Sequence, residues 1–281
     1  MAKRLDVQKT YKLFIGGAFP RSESGRTFAV LGADGSLIAN VASASRKDLR
    51  DAVVAARSAQ TGWAARTAYN RGQILYRVAE VMEGRRTQFA EELSRCGVEA
   101  RVARQEVEAA IDRWVWYAGW CDKFHHIAGT VNSVAGPYFN FTMPEPTGVV
   151  GILAPNSPGL LGLVSRLAPA LVSGNTAVVL TGEASPLTAV SMAEVVATSD
   201  VPGGVVNILT GATRDLLPWL LGHRDVNAVD LTGAPADLEA ATVAEAADNV
   251  KRLIRGDPDD QSPYVIADFC EMKTVWHPVG R

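Results

Sequence analysis

The stretch TGVVGILAPNSPGLLGLVSRLAPALVSGNTAVVL, Thr147–Leu180, decides the fold. Val149–Leu153 is a short apolar strand and Leu160–Leu171 a helix. Gly174 and Asn175 turn the chain, and Ala177–Leu180 is a second apolar strand. Strands without a polar face, separated by helices, belong to a parallel sheet covered on both sides. The alternation continues with a helix over Pro186–Ser199, a strand over Val205–Leu209 and a short helix over Leu216–Leu221. A strand over Ala228–Leu231 and a helix over Ala236–Asn249 follow. Thr147–Ser165 carries no charge, which raises a membrane span as an alternative. Pro155, Asn156, Ser157, Pro158 and four glycines within it argue for strand, loop and helix start instead.

Upstream, Tyr11–Ile15 alternates like a strand, Gly16-Gly17 turns, and Phe28–Leu31 is a second strand. Ser45 caps a helix, with Asp48 three residues on as an imperfect capping box. A second helix is expected from about Asn70 to Arg95, ended by Gly97, and a third from about Ala100 to Phe124. Thr130–Val134 and Phe139–Met143 flank Gly136-Pro137 as a hairpin or arm, and a last strand lies near Lys273–Trp276. Arg255–Ser262 (RGDPDDQS) is the one linker-like segment.

Among 281 residues, 28 Lys and Arg stand against 30 Asp and Glu, so the net charge is −2. No basic excess marks a nucleic-acid binder. Cys96, Cys121 and Cys270 have no metal-ligand spacing and cannot all pair, which suits a reducing cytoplasm. Asp6, Lys9 and Lys12 interrupt any apolar run near the N-terminus, so no signal peptide is expected. His125 and His126 are adjacent, so their side chains diverge on a helix, and they have no metal-ligand partners in sequence. Trp114, Trp116, Tyr117 and Trp120 suit core or subunit packing better than ligand stacking.

These residues carry a family resemblance. TGVVGILAP (Thr147–Pro155) resembles the first sheet strand of aldehyde dehydrogenases, and RLAPALVSGNTAVVL (Arg166–Leu180) their next helix, turn and strand. VPGGVVNILTG (Val201–Gly211) is similar to the following strand, and LTGA (Leu231–Ala234) to the family's phosphate-side TGS turn. AIDRWVWYAGWCDK (Ala110–Lys123) resembles the helix before the family's oligomerisation arm, and EMKTVWHP (Glu271–Pro278) its closing strand. The resemblance implies an α/β fold, a Rossmann-like parallel sheet with helices on both faces. Residues 1–127 and 147–254 would form the NAD(P)-binding-type domain, and 128–146 with 264–281 the arm. Residues 255–263 would be a linker where the family inserts a catalytic domain of roughly 100–200 residues.

The family's oxidation needs a thiolate that attacks the aldehyde, after which hydride passes to NAD. Cys270, in ADFCEMK, does not match the family's GQxC context and stands as a structural thiol or, alternatively, a relocated nucleophile. The family's oxyanion donor falls in PNSPG, where Asn156 and Ser157 are either weak candidate donors or a polar loop. The general-base Glu falls in RLIRGDPDD (Arg252–Asp260), which contains none. For the cofactor, NAD or NADP bound weakly or not at all, the resemblance points to Pro155, Leu180, Glu183, Thr210, Gly211, Thr232, Gly233 and Ala234. Glu183 is either a ribose partner or a surface carboxylate in a helix's first turn. Leu180 replaces the family's Lys, with a loss of about 1.5–3 kcal/mol for one charge-assisted bond.

The expectation is therefore a catalytically deficient, aldehyde-dehydrogenase-like subunit. It would oligomerise with itself or with a full-length relative, and it would bind neither nucleic acid nor membrane. The alternatives are an NAD(P)-dependent oxidoreductase of aldehydes and a nucleotide-responsive binding module.

Overall fold

The computed structural model describes residues 8–32, 34–181 and 184–280. The N-terminal part holds β1 (Thr27–Leu31), β2 (Leu37–Ala42), α1 (Arg46–Ala64), α2 (Ala68–Glu83), α3 (Arg86–Arg95), α4 (Ala100–Trp120) and α5 (Phe124–Ala128). β3 (Thr130–Asn132) and β4 (Tyr138–Pro146) follow. Then come β5 (Val149–Leu153), α6 (Gly159–Val172), β6 (Thr176–Leu180), α7 (Pro186–Ala197), β7 (Val206–Leu209), α8 (Thr213–Gly222) and β8 (Ala228–Asp230). α9 (Glu239–Ala247), β9 (Arg252–Ile254), a 3-10 segment (Pro263–Phe269) and β10 (Cys270–Pro278) complete the order.

The α/β class expected from sequence is the one observed. Five strands make a parallel sheet in the order β7-β6-β5-β8-β9. Every residue of β5 and β6 is buried, because helices cover both faces. Val150, Ile152, Ala177 and Val179 face a core shared with α2, α3, α4, α6 and α7. Val149, Leu153, Val178 and Leu180 point the other way, into a core shared with α1 and α8. The period-two alternation thus divides one apolar run between two cores.

The arm is a three-stranded antiparallel sheet in the order β10-β4-β3. β10 pairs with β4 from Cys270↔Pro146 to Pro278↔Tyr138. The expected hairpin with a closing strand is therefore present.

Local signals hold at two helix ends. The Ser45 hydroxyl accepts from Lys47 N and Asp48 N, and the Asp48 carboxylate accepts from Ser45 N at 2.8 Å. Gly97, at φ +97°, lets its own N–H reach Ser94 O and the Val98 N–H reach Leu93 O, which closes α3.

Other boundaries need correction. The helix expected over Asn70–Arg95 is two, α2 and α3, parted at Gly84 and Arg85. The helix expected to reach Phe124 ends at Trp120, and α5 follows. Tyr11–Ile15 is not a strand of its own. Tyr11 makes one bridge to Val41, and Phe14 exchanges backbone hydrogen bonds with Ile208 at 2.9 and 2.8 Å, extending the sheet edge. β2, which pairs with β1, and β9 lie where no strand was expected. Among the described residues no helix is long and apolar enough to cross a membrane.

Candidate functional site

In an open parallel sheet, ligands bind beyond the carboxyl ends of the strands, where the strand order reverses. Here that point lies between β5 and β8. After β5 the chain runs through buried Pro155 to exposed Asn156 and Ser157. The Asn156 side-chain oxygen accepts from Ala184 N at 3.3 Å, tying this loop to the one after β6. After β8, Thr232 N and the Thr232 hydroxyl both donate to Asp230 Oδ1, at 2.9 and 2.5 Å. Gly233 N donates to Leu153 O at 3.0 Å, and Ala234 N to Leu231 O at 2.8 Å. A Cβ on Gly233 would collide with the backbone of Leu153 and Ala154, so this turn is pressed directly against the end of β5.

Leu180, Thr210 and Gly211 are buried. Leu180 is only 2% exposed and belongs to the core beside α1 and α8. Buried Thr210 donates its hydroxyl to Ala42 O at 2.6 Å and accepts from Ala44 N at 2.7 Å. Gly211 packs against Ala44. Glu183 lies outside the described residues. The N-terminus of α6 meets an internal anion: Glu106 Oε1 accepts from Leu160 N at 2.7 Å and Leu161 N at 3.2 Å.

Beneath the turn after β8 lies a buried ion cluster that sequence reading missed. Arg166 Nε donates to Asp230 Oδ2 at 2.5 Å, and both side chains are fully buried. Arg166 Nη2 lies 3.5 Å from Asp268, and the guanidinium stacks over the Phe269 ring at 5.1 Å. Among the described residues its Nη1 and Nη2 have no hydrogen-bond partner. Gly256 lies so flat on the guanidinium that a Cβ there would overlap it, and Gly256 N donates to the Thr232 hydroxyl at 3.0 Å. Arg113 donates to Ser165 Oγ at 2.7 Å and to the carbonyls of Pro258 and Asp260, while the Tyr117 hydroxyl reaches Ser262 O. Burial pushes the Asp268 carboxyl above its usual range, against the pull of Arg166. One signal was visible: Arg166 is the single charge in the apolar run of α6, and a charge buried there needs a partner.

All three cysteines are free thiols. Cys270 opens β10 opposite Pro146, so it lies near the start of β5, at the other end of the sheet from the β5–β8 crevice. Its thiol is buried, donates to Ile266 O at 3.3 Å, and is pushed by burial up to about 11. Burial likewise drives Cys121 up to about 12 and raises Cys96. These thiols stay protonated at neutral pH, and a protonated thiol is a poor nucleophile. Among the described residues no group of His, Cys, Asp and Glu is placed to hold a metal.

The profile of the aldehyde dehydrogenase family matches residues 20–275. The chain belongs to the aldehyde dehydrogenase family. It is 34% identical over 277 residues to mouse cytosolic 10-formyltetrahydrofolate dehydrogenase, covering 96% of this chain and 30% of that one. It is also 34% identical over 260 residues to a putative aldehyde dehydrogenase of Bacillus subtilis, covering 90% and 52%. An aldehyde dehydrogenase of Bacillus cereus, solved as its NAD+ complex, superposes with a TM-score of 0.81 at 28% identity, over 87% of this chain and 50% of that one. One from Burkholderia cenocepacia gives 0.82 at 31%, over 86% and 50%. The chain therefore spans about half of these relatives, and less of the first.

A dinucleotide's diphosphate needs donors at the turns that end these strands. In this chain the N–H groups of Thr232, Gly233 and Ala234 all have internal acceptors. Leu180 is core, and the Thr210 hydroxyl serves Ala42. The described residues of the crevice do not fit a diphosphate.

Proposed function

We propose that this aldehyde dehydrogenase family chain is a catalytically deficient subunit that acts through assembly, with copies of itself or with a full-length relative. One observation carries the reading. Residues 255–269 run from β9 to β10 as a packed bridge, held by Arg113, Tyr117, Arg166 and Thr232. The resemblance places a catalytic domain at that point, and the one thiol beside the bridge, Cys270, lies buried at the opposite end of the sheet. Its free cysteines suit a reducing cytoplasm.

The test is NAD(P)H production by the purified chain with aldehyde and either cofactor in excess, alongside an intact-mass measurement on the gently purified native complex. The expected result is no production above a protein-free control, and a complex of more than one subunit. Turnover that Cys270→Ala abolishes would overturn the proposal.

A further inference from the structure

A cavity of about 830 Å³ lies between the first turns of α1 and the second half of α8, with Glu245 of α9 on its wall. No residue of the β5–β8 crevice lines it. Its volume falls in the range of small-molecule sites, roughly 300–1,000 Å³. Leu49, Pro218 and the half-exposed Trp219 ring make part of the wall apolar. The charged groups are of two kinds. Lys47 faces Glu23 at 3.8 Å, and Arg50 holds Asp51 at 3.0 Å. Arg46 and Glu245 have no ion-pair partner among the described residues, and they do not pair with each other. The Arg46 guanidinium is stacked over the Trp219 ring at 3.7 Å, which fixes its plane. Glu245 Oε2 is buried and has no hydrogen-bond partner among the described residues.

We propose that this cavity binds a small zwitterion, with its carboxylate on Arg46, its ammonium on Glu245 and its apolar body along Trp219 and Pro218. The class follows from the signs of the two unpaired groups. A held guanidinium is a planar fork that matches a carboxylate. A carboxylate oxygen buried without a donor is costly, and an ammonium relieves that cost. A simple anion would serve Arg46 and leave Glu245 bare, and a simple cation would do the reverse. A diphosphate would meet Glu23 and Glu245 as like charges. Because Arg46 and Glu245 do not reach each other, the ligand's two charges stand apart along a chain, as in an ω-amino carboxylate.

The test is calorimetric titration of the full chain with ω-amino carboxylates from 4-aminobutanoate to 8-aminooctanoate. For each, the matched plain carboxylate and plain amine serve as comparisons. The expected result is saturable binding of at least one amino carboxylate at one site per chain, with its two comparisons weaker by about ten-fold or more. Arg46→Gln should remove the advantage over the amine, and Glu245→Gln the advantage over the plain carboxylate. Circular dichroism checks that each variant is folded, and the probe comparison on the unmodified chain decides the matter if a variant is not. No saturable binding by any member of the series overturns the proposal. So does a zwitterion that binds no tighter than its comparisons, or binding that both folded variants leave unchanged. Displacement of the bound amino carboxylate by NAD+ also overturns it.

Discussion

The two ends of this molecule handle their polar groups in opposite ways. At the carboxyl end of the parallel sheet, the Thr232–Ala234 turn donates to Asp230, Leu153 and Leu231, and Arg166 draws Asp230, Asp268 and Gly256 around it. In the arm, β10 has a partner strand on one side alone among the described residues, and Met272 and Trp276 are exposed. The first region is closed upon itself, and the second keeps apolar side chains exposed.

The comparison can be broken most forcibly at Asp230. Asp230→Ala leaves the buried Arg166 guanidinium with only the half-exposed Asp268 carboxylate, 3.5 Å away, and should lower stability by about 3–5 kcal/mol in urea unfolding. A loss below about 1 kcal/mol would mean that the cluster does not hold the sheet end together. Gly233→Ala comes next. The added methyl meets the backbone of Leu153 and Ala154, which cannot rotate away, and should cost about 1–3 kcal/mol.

The thiols give a pH dependence. Cys121 and Cys270 ionise near 9.0 when unfolded, and only at about 12 and about 11 when folded. The folded state then holds more protons above pH 9. The thiols' contribution to stability is constant below that pH and falls as pH rises towards the folded values, by at most about 1.4 kcal/mol per thiol for each unit. Stability curves at several alkaline pH values, with and without Cys270→Ser, check the slope. The smallest effect belongs to the arm. Trp276→Ala should change the stability of the isolated chain by less than about 0.5 kcal/mol, since an exposed side chain supports no core. A larger loss would show that the arm is part of the fold rather than an addition to it.

The sequence made the middle of the fold plain for physical reasons. β5 and β6 are uninterrupted apolar runs, and Ser45 with Asp48 forms a cap that needs only neighbours in sequence. The gap between α2 and α3 was hidden because the apolar stripe from Val78 to Leu93 continues through Gly84 and Arg85. β9 is three residues long and is fixed only by its parallel neighbour β8, so local pattern carried no signal for it. At the candidate site, the identities of Leu180, Thr232 and Gly233 could be read, but not which way they face. The Arg166–Asp230 pair joins residues 64 positions apart, and the Glu106 cap on α6 joins residues 54 apart. Only the fold brings such pairs together.

The most direct measurement is a calorimetric titration of the purified chain with NAD+. With the donors of the crevice already engaged by Asp230, Leu153 and Leu231, the titration should be flat into the millimolar range. Saturable binding at one site per chain would contradict this. It would mean that the turn after β8 opens for a diphosphate, and that the sheet end is a working nucleotide site rather than a closed one.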